Sequence, residues 1–309
     1  MLIDYALMML PFSIRQKLAI WLLAMRPPTL SLSVASVGLG NVLAYQSGVF
    51  SGSLAALGLM TAIFLQILAN FANDYGDAVR HTDAQRLASA PKRMVSAGLI
   101  SPQQMKIAMV VMIFFCIISG LSLIIQAAVS LWLWIIFGLS AIISAIAYTV
   151  GKKTYGYKGL GDLFVFIFFG QMAVVGMFFL QTHTLNLPIF LPATALGLWS
   201  VSVLNINNIR DLNTDNKSGK NTVAVRLGDK NARHYHTVLI STALILWSIY
   251  TISYQYYWAM IVPMLFSVFH IKTIYHIDNT KLFNIELAKL SLAVLLFVAV
   301  LWLSNFKTI

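Results

Sequence analysis

The sequence predicts an all-α fold, a polytopic membrane bundle of about nine transmembrane helices forming a single domain over residues 1–309. Three observations predict it. The chain is 59% hydrophobic and 10% charged, and its mean hydropathy of +0.80 lies outside the range of a water-soluble domain. Apolar stretches of the length needed to cross a hydrocarbon core of about 30 Å recur along the chain. The charges gather between alternate stretches instead of spreading evenly.

Taken in order, residues 1–20 open with "MLIDYALMMLPFSIRQK", which carries an early acid and no basic leader. They read as an amphipathic segment lying on the membrane and not as a cleaved signal. The predicted spans follow at 29–47, 54–73, 105–125, 130–150, 162–182, 187–207, 236–254, 257–272 and 288–305, the eighth being the shortest. Small residues in "SVASVGLGNVLA" suit the first span to close helix packing. Cys116 in the third is the lone cysteine, which excludes an intrachain disulfide and a cysteine metal cluster and leaves a packing role. "GYKGLGD" (156–162) reads as a tight turn into the fifth span, because it lacks both the full GxGxxG pattern and a strand before it. His234 and His236 read as a solvated pair in the loop before the seventh span, with no metal assigned.

With nine spans, 20 of the 21 Lys and Arg fall on one side of the membrane, and only Lys307 lies opposite. The loops near "QSGVFSG", "IIQAAVS", "QTHTLNLP" and "ISYQYY" contain no charged residue. By the positive-inside rule the N-terminus and the charged loops are cytoplasmic. The net charge of +11 then reflects orientation and attraction to anionic headgroups, with no call for nucleic acid.

The acids are equally one-sided and form two groups. In "NFANDYGDAVRHTD" (70–83), Asn70, Asn73, Asp74 and Asp77 are spaced three and four apart and would share one helix face, with Asp83 beyond it. In "NINNIRDLNTDNKSGKNTVAVRLG" the geometry repeats with Asn207 or Asn208, Asp211 and Asp215. Carboxylates one turn apart repel, more so at low dielectric, so a cation should sit between them. Oxygen ligands with room for water suit Mg²⁺, which commonly bridges one or two carboxylates to a phosphorylated ligand. Arg80, Lys92, Arg93, Lys152, Lys153, Arg210 and Lys220 would neutralise a diphosphate.

A diphosphate at the mouth of an apolar bundle suggests a polar head on a long hydrocarbon tail, as in a polyprenyl diphosphate. Metal and lysine charge would stabilise the leaving diphosphate, and Tyr148, Phe166, Phe168 and Phe169 are candidates to face an allylic cation.

At these residues the sequence resembles the UbiA-type superfamily of intramembrane prenyltransferases, and within it the 1,4-dihydroxy-2-naphthoate polyprenyltransferases of menaquinone synthesis. The stretches that carry the likeness are "WLLAMRPPTL", "NFANDYGDAVRHTD", "PKRMVSAGLISP", "YTVGKKTYGYKGLGDLFVFIFFG" and "NNIRDLNTDNKSGKNTVAVRLG". The superfamily's NxxxDxxxD motif begins here at Asn73 and Asp77 but meets His81 where a third acid is usual, and Asp83 follows with the spacing of the naphthoate branch. The DxxxD motif is intact as Asp211 and Asp215, and a Tyr-xxx-Lys element matches Tyr148 and Lys152, with Arg26 near the same pocket.

The resemblance implies a UbiA-like bundle using Mg²⁺, with Asp77, Asp211, Tyr148 and Lys152 as catalytic residues. Its substrates would be a polyprenyl diphosphate and a naphthoate acceptor, and CO₂ and diphosphate would leave to give 2-demethylmenaquinol at a bacterial inner membrane. Two other readings remain: a superfamily member acting on 4-hydroxybenzoate or a haem, and a divalent-cation transporter. The transporter fits poorly, because the acids cluster at one face and not at the midplane.

Overall fold

The computed structural model describes residues 12–80, 93–151 and 154–305. The expectations placed on residues 1–11, His81, Asp83, Lys92, Lys152, Lys153 and Lys307 lie outside the described residues. Eleven helices account for most of the rest: α1 Phe12–Met25, α2 Pro27–Gln46, α3 Gly52–Val79, α4 Pro102–Gln126, α5 Leu131–Ala147, α6 Gly161–Thr182, α7 Phe190–Arg210, α8 Leu212–Lys217, α9 Val223–Ser253, α10 Tyr257–His276 and α11 Thr280–Ser304.

Each predicted span falls on a helix, but the number able to cross a membrane is smaller. Among the described residues seven helices are long and apolar enough by themselves, and α1 with α2 makes an eighth only as a pair bent by 50°. The bend sits at Arg26, whose φ of 52° is left-handed. Helix α5, with 17 residues, is a shorter apolar helix, about 25 Å long against a core of about 30 Å. Helix α9 begins well before the predicted 236, capped by Thr222 and kinked at Gly228 (φ 74°, ψ 164°). Its first turns carry Arg226, Lys230 and Arg233, charges that hide a helix from an apolarity test.

Local sequence sets these ends. Ser101 and Gln104 form a reciprocal capping box at the start of α4, with Pro102 in the first turn, where its missing N–H costs nothing. Helix α6 is unusual in the middle, where Phe166–Val175 winds as a π-helix. This widened stretch lies against α7 at a pair of glycines. A Cβ on Gly170 would stand 2.8 Å from the Ala193 carbonyl and 2.9 Å from the Gly197 Cα, so only glycine lets the backbones meet there. Trp199, Trp247 and Phe297 join α7, α9 and α11 through ring contacts of 5.3 and 5.0 Å.

The expected solvated histidine pair is not what forms. His234 is exposed and shares a 2.8 Å hydrogen bond with the Tyr275 hydroxyl, whereas His236 is wholly buried on α9. Its Nε2 lies 3.1 Å from Nε2 of His270, whose Nδ1 meets Glu286 at 3.0 Å. Residues 230–236 belong to a helix and not to a loop, so His234 and His236 fall on different faces, one exposed and one buried, which is why the HxH spacing misleads. Cys116 is buried among apolar side chains, as expected, and 155–160 form a turn containing the 3-10 helix Tyr155–Lys158 and left-handed Gly159.

Candidate active site

Helices α2, α3, α4, α5, α6 and α7 line a cavity of about 400 Å³. Its polar end gathers Arg26, Asn70, Asn73, Asp77, Arg93, Tyr148, Asn207 and Lys220, all anticipated from sequence. The remaining lining is largely apolar.

On α3, the α-helical period puts Asn70, Asn73 and Asp77 on the cavity face and leaves Asp74 at its edge. Asp74 turns away. Its two oxygens accept hydrogen bonds from the backbone N–H groups of Met94 (2.9 Å) and Val95 (3.1 Å), and it does not line the cavity. This carboxylate therefore fixes the 93–100 turn to α3, a structural task in place of the expected metal ligand. Asn70 donates to the Met25 carbonyl (2.7 Å) and to Thr29 Oγ1 (3.0 Å), holding the α1–α2 bend against α3 and so placing Arg26. Asn73 accepts from Thr149 Oγ1 at 3.1 Å. Asp77 meets the Arg93 guanidinium at 2.6 Å and accepts from the Tyr157 hydroxyl at 3.0 Å.

The second acidic stretch is not one continuous helix. Asp211 (φ −95°, ψ 7°) ends α7 and leads into α8, which carries Asp215. Arg210 forks onto Asp211 through Nε (2.8 Å) and Nη2 (2.6 Å) and also reaches Asn207 and Asn284, each at 2.7 Å. Its guanidinium is thus occupied by this chain, in contrast to its expected place on a diphosphate. Arg80 likewise donates to the Gly151 carbonyl and lies 4.7 Å above the Tyr157 ring, outside the cavity lining. Asn208 is buried off the cavity, which leaves Asn207 as the lining amide of that pair.

Lys220 links the two halves. Its ammonium lies 3.5 Å from Asp215 and 5.9 Å from the Tyr157 ring centroid. Burial opposes its charge, but nearby Asp215, Tyr148 and Asp77 outweigh that and raise its pKa. Burial pushes Asp215 up to about 6, with Lys220 as the main opposing influence. Asp215 Oδ2 is buried with no hydrogen-bond partner among the described residues. An under-compensated carboxylate with an orphaned oxygen is a position that favours an added cation.

Among the described residues no three of His, Cys, Asp and Glu are arranged as a ready-made metal site. Mg²⁺ does not require one, since it commonly takes one or two carboxylates and completes its shell with water and phosphate oxygens. The orphaned Asp215 oxygen therefore fits such an ion. Of the aromatic candidates, Tyr148, Phe168 and Phe169 line the cavity, whereas Phe166 packs toward Gly197. Phe164 and Tyr155, stacked at 4.0 Å, also line it.

Sequence reasoning passed over three partners: Tyr157 on Asp77, Thr149 on Asn73 and Asn284 on Arg210. Tyr157 lay inside a stretch already singled out, but its role depends on a turn bringing it back to α3. Asn284 carried no local signal, since it arrives from α11.

The UbiA prenyltransferase family matches residues 31–292. The chain is 44% identical over 228 residues to the 1,4-dihydroxy-2-naphthoate octaprenyltransferase of Escherichia coli (strain K12), covering 73% of this chain and 74% of the relative. It is 40% identical over 250 residues to that of Haemophilus influenzae, with coverage of 79% and 81%. A UbiA homolog from Archaeoglobus fulgidus, solved bound to GPP and Mg²⁺, shares the fold with a TM-score of 0.68 at 16% identity, over 92% of this chain and 99% of that one. The family match and these identities identify the chain as a multi-pass membrane protein that belongs to the UbiA prenyltransferase family.

Proposed function

We propose that this protein transfers a polyprenyl group from a polyprenyl diphosphate to 1,4-dihydroxy-2-naphthoate, releasing diphosphate and CO₂ and giving 2-demethylmenaquinol. The observation that carries the reading is one cavity with Asp77, Arg93 and Lys220 at its polar end and an apolar remainder. The identities to naphthoate octaprenyltransferases support the choice of acceptor.

In this reading Arg26, Arg93 and Lys220 bind the diphosphate, and Asp77, Asp211 and Asp215 hold Mg²⁺. Mg²⁺ supplies neutralisation of the leaving diphosphate. Lys220 adds fixed charge at the same place, so the stabilisation acts where negative charge develops. Tyr148, Phe164 and Phe168 offer π-faces to the allylic cation, and the apolar walls keep water from capturing it. The ring carbon bearing the carboxylate attacks the prenyl C1, the C–O bond to diphosphate breaks, and loss of CO₂ returns the electron pair that restores aromaticity. The diphosphate end faces the cytoplasm of a bacterial inner membrane, following the one-sided Lys and Arg.

Purified protein given Mg²⁺, octaprenyl diphosphate and the naphthoate should release CO₂ and a prenylated quinol detected by mass spectrometry. Asp77→Asn and Asp211→Asn should each lower turnover by more than about a hundredfold while eluting as folded protein in detergent. Turnover of 4-hydroxybenzoate or a haem in place of the naphthoate would reassign the acceptor, and near-normal rates in both variants would remove these carboxylates from the site.

A further inference from the structure

The two halves of the polar site come from distant parts of the chain, Asp77 from the end of α3 and Asp215 and Lys220 from α8 and the residues after it. The segment that follows α5 runs between them and packs closely on both. On one side, a Cβ on Gly76 of α3 would stand 2.7 Å from the Thr149 carbonyl oxygen, and Thr149 Oγ1 donates to the Ala72 carbonyl at 2.9 Å. On the other, a Cβ on left-handed Gly159 would stand 2.9 Å from the Asn221 carbonyl oxygen, and Arg226 donates to the Lys158 carbonyl. Gly156 folds the segment back on itself, because a Cβ there would stand 2.6 Å from the Tyr148 carbonyl oxygen. Side chains at these glycines would force the segment off one neighbour or the other.

Tyr157 occupies the middle of this bridge and reaches both halves with different groups. Its hydroxyl donates to Asp77 Oδ1 at 3.0 Å. Its backbone carbonyl accepts from the Asn221 N–H at 3.0 Å, and its ring centroid lies 5.9 Å from the Lys220 ammonium. That distance is within the range of cation–π attraction, about 6 Å. Tyr157 makes these contacts from behind the site, since Tyr148 and Tyr155 line the cavity and Tyr157 does not.

The contact with Asp77 fixes an orientation. Arg93 holds Oδ2 at 2.6 Å while Tyr157 holds Oδ1, so the carboxylate is tied at both oxygens to different partners. Without the hydroxyl, Asp77 can turn both oxygens onto the Arg93 guanidinium, the two-pronged geometry that such pairs favour. That rotation would withdraw Oδ1 from an incoming cation.

We propose that Tyr157 is a positioning residue for the transfer reaction, its hydroxyl holding Asp77 in the orientation that accepts Mg²⁺ and its ring holding Lys220 where the diphosphate binds. The inference rests on the proposed function, in which Asp77 serves the metal and Lys220 the diphosphate. Tyr157 itself touches neither.

Two variants separate the contacts: Tyr157→Phe keeps the ring and removes the hydroxyl, whereas Tyr157→Leu removes both. Mn²⁺ binding to the detergent-solubilised protein, followed by electron paramagnetic resonance with no donor present, should weaken about fivefold in Tyr157→Phe. The melting temperature of that variant should stay within about 2 °C of the unaltered protein. At saturating Mg²⁺ the KM for octaprenyl diphosphate should stay within about twofold in Tyr157→Phe and rise at least about threefold in Tyr157→Leu. Unchanged Mn²⁺ affinity in Tyr157→Phe, a lower melting temperature as its only change, or a donor KM that rises equally in both variants would overturn the proposal. Should Tyr157→Leu fail to fold, the Mn²⁺ affinity of Tyr157→Phe, which fills nearly the same space, still decides it. Absence of Mn²⁺ binding in the unaltered protein would overturn the metal assignment itself, which distinguishes failure of the underlying reading from failure of the role given to Tyr157.

Discussion

At the scale of single residues, Asp74 and Asp77 show how chemically identical neighbours divide their work. Asp77 faces the cavity with Arg93 and Tyr157, while Asp74 is spent on two backbone N–H groups. Hydrogen bonds to a buried carboxylate contribute more than neutral ones. Asp74→Ala should therefore lower stability by about 2–4 kcal/mol, read as a drop in the detergent melting temperature, with residual folded protein retaining affinity for the diphosphate. A loss of diphosphate affinity with unchanged melting would return Asp74 to the site. Spacing alone made Asn73 and Asp77 legible, because residues three and four apart must share a face. It could not separate Asp74 from them, since the choice is made by the distant turn at 93–95.

At the scale of elements, the pairing of α6 with α7 is fixed by what glycine leaves out. Gly170 and Gly197 bring the π-helical stretch against α7, and that approach presents Phe168 and Phe169 to the cavity. Gly170→Leu should push the two helices apart at a cost of about 1–3 kcal/mol and also impair turnover by displacing those rings. A variant with unchanged melting temperature and rate would show that α6 accommodates the added volume. The length and apolarity of α3, α4 and α6 were readable from composition. The early start of α9 was not, because its charged first turns are helical through tertiary packing and a Thr222 cap and not through hydropathy. The π-helix and the burial of His236 left no periodic signature, since both depend on how α6 and α9 meet their neighbours.

At the scale of the whole molecule, the alternation of helices sends the ends of α3, α5 and α7 and the starts of α4, α6 and α9 to one face, where the Lys and Arg collect. This sidedness was the most legible feature of all, being a property of loop composition that needs no packing detail. It predicts that, in a Cys116→Ser background, cysteine placed at exposed Asn216 reacts with an impermeant maleimide only from the cytoplasmic side, and cysteine at exposed Thr184 only from the opposite side. Reversed labelling would invert the orientation. The same face holds Asp77 against Arg93, Asp211 against Arg210 and Asp215 against Lys220. At rest, then, the protein holds each of these carboxylates beside a cation of its own. A ligand that arrives as a cation and an anion together lets the Asp77–Arg93 and Asp215–Lys220 pairs exchange partners while adding less net charge to a poorly solvated region than either ion alone. Either ion alone must break a pair and leave one member stranded, so the site is built to recognise the neutralised combination over its separate parts.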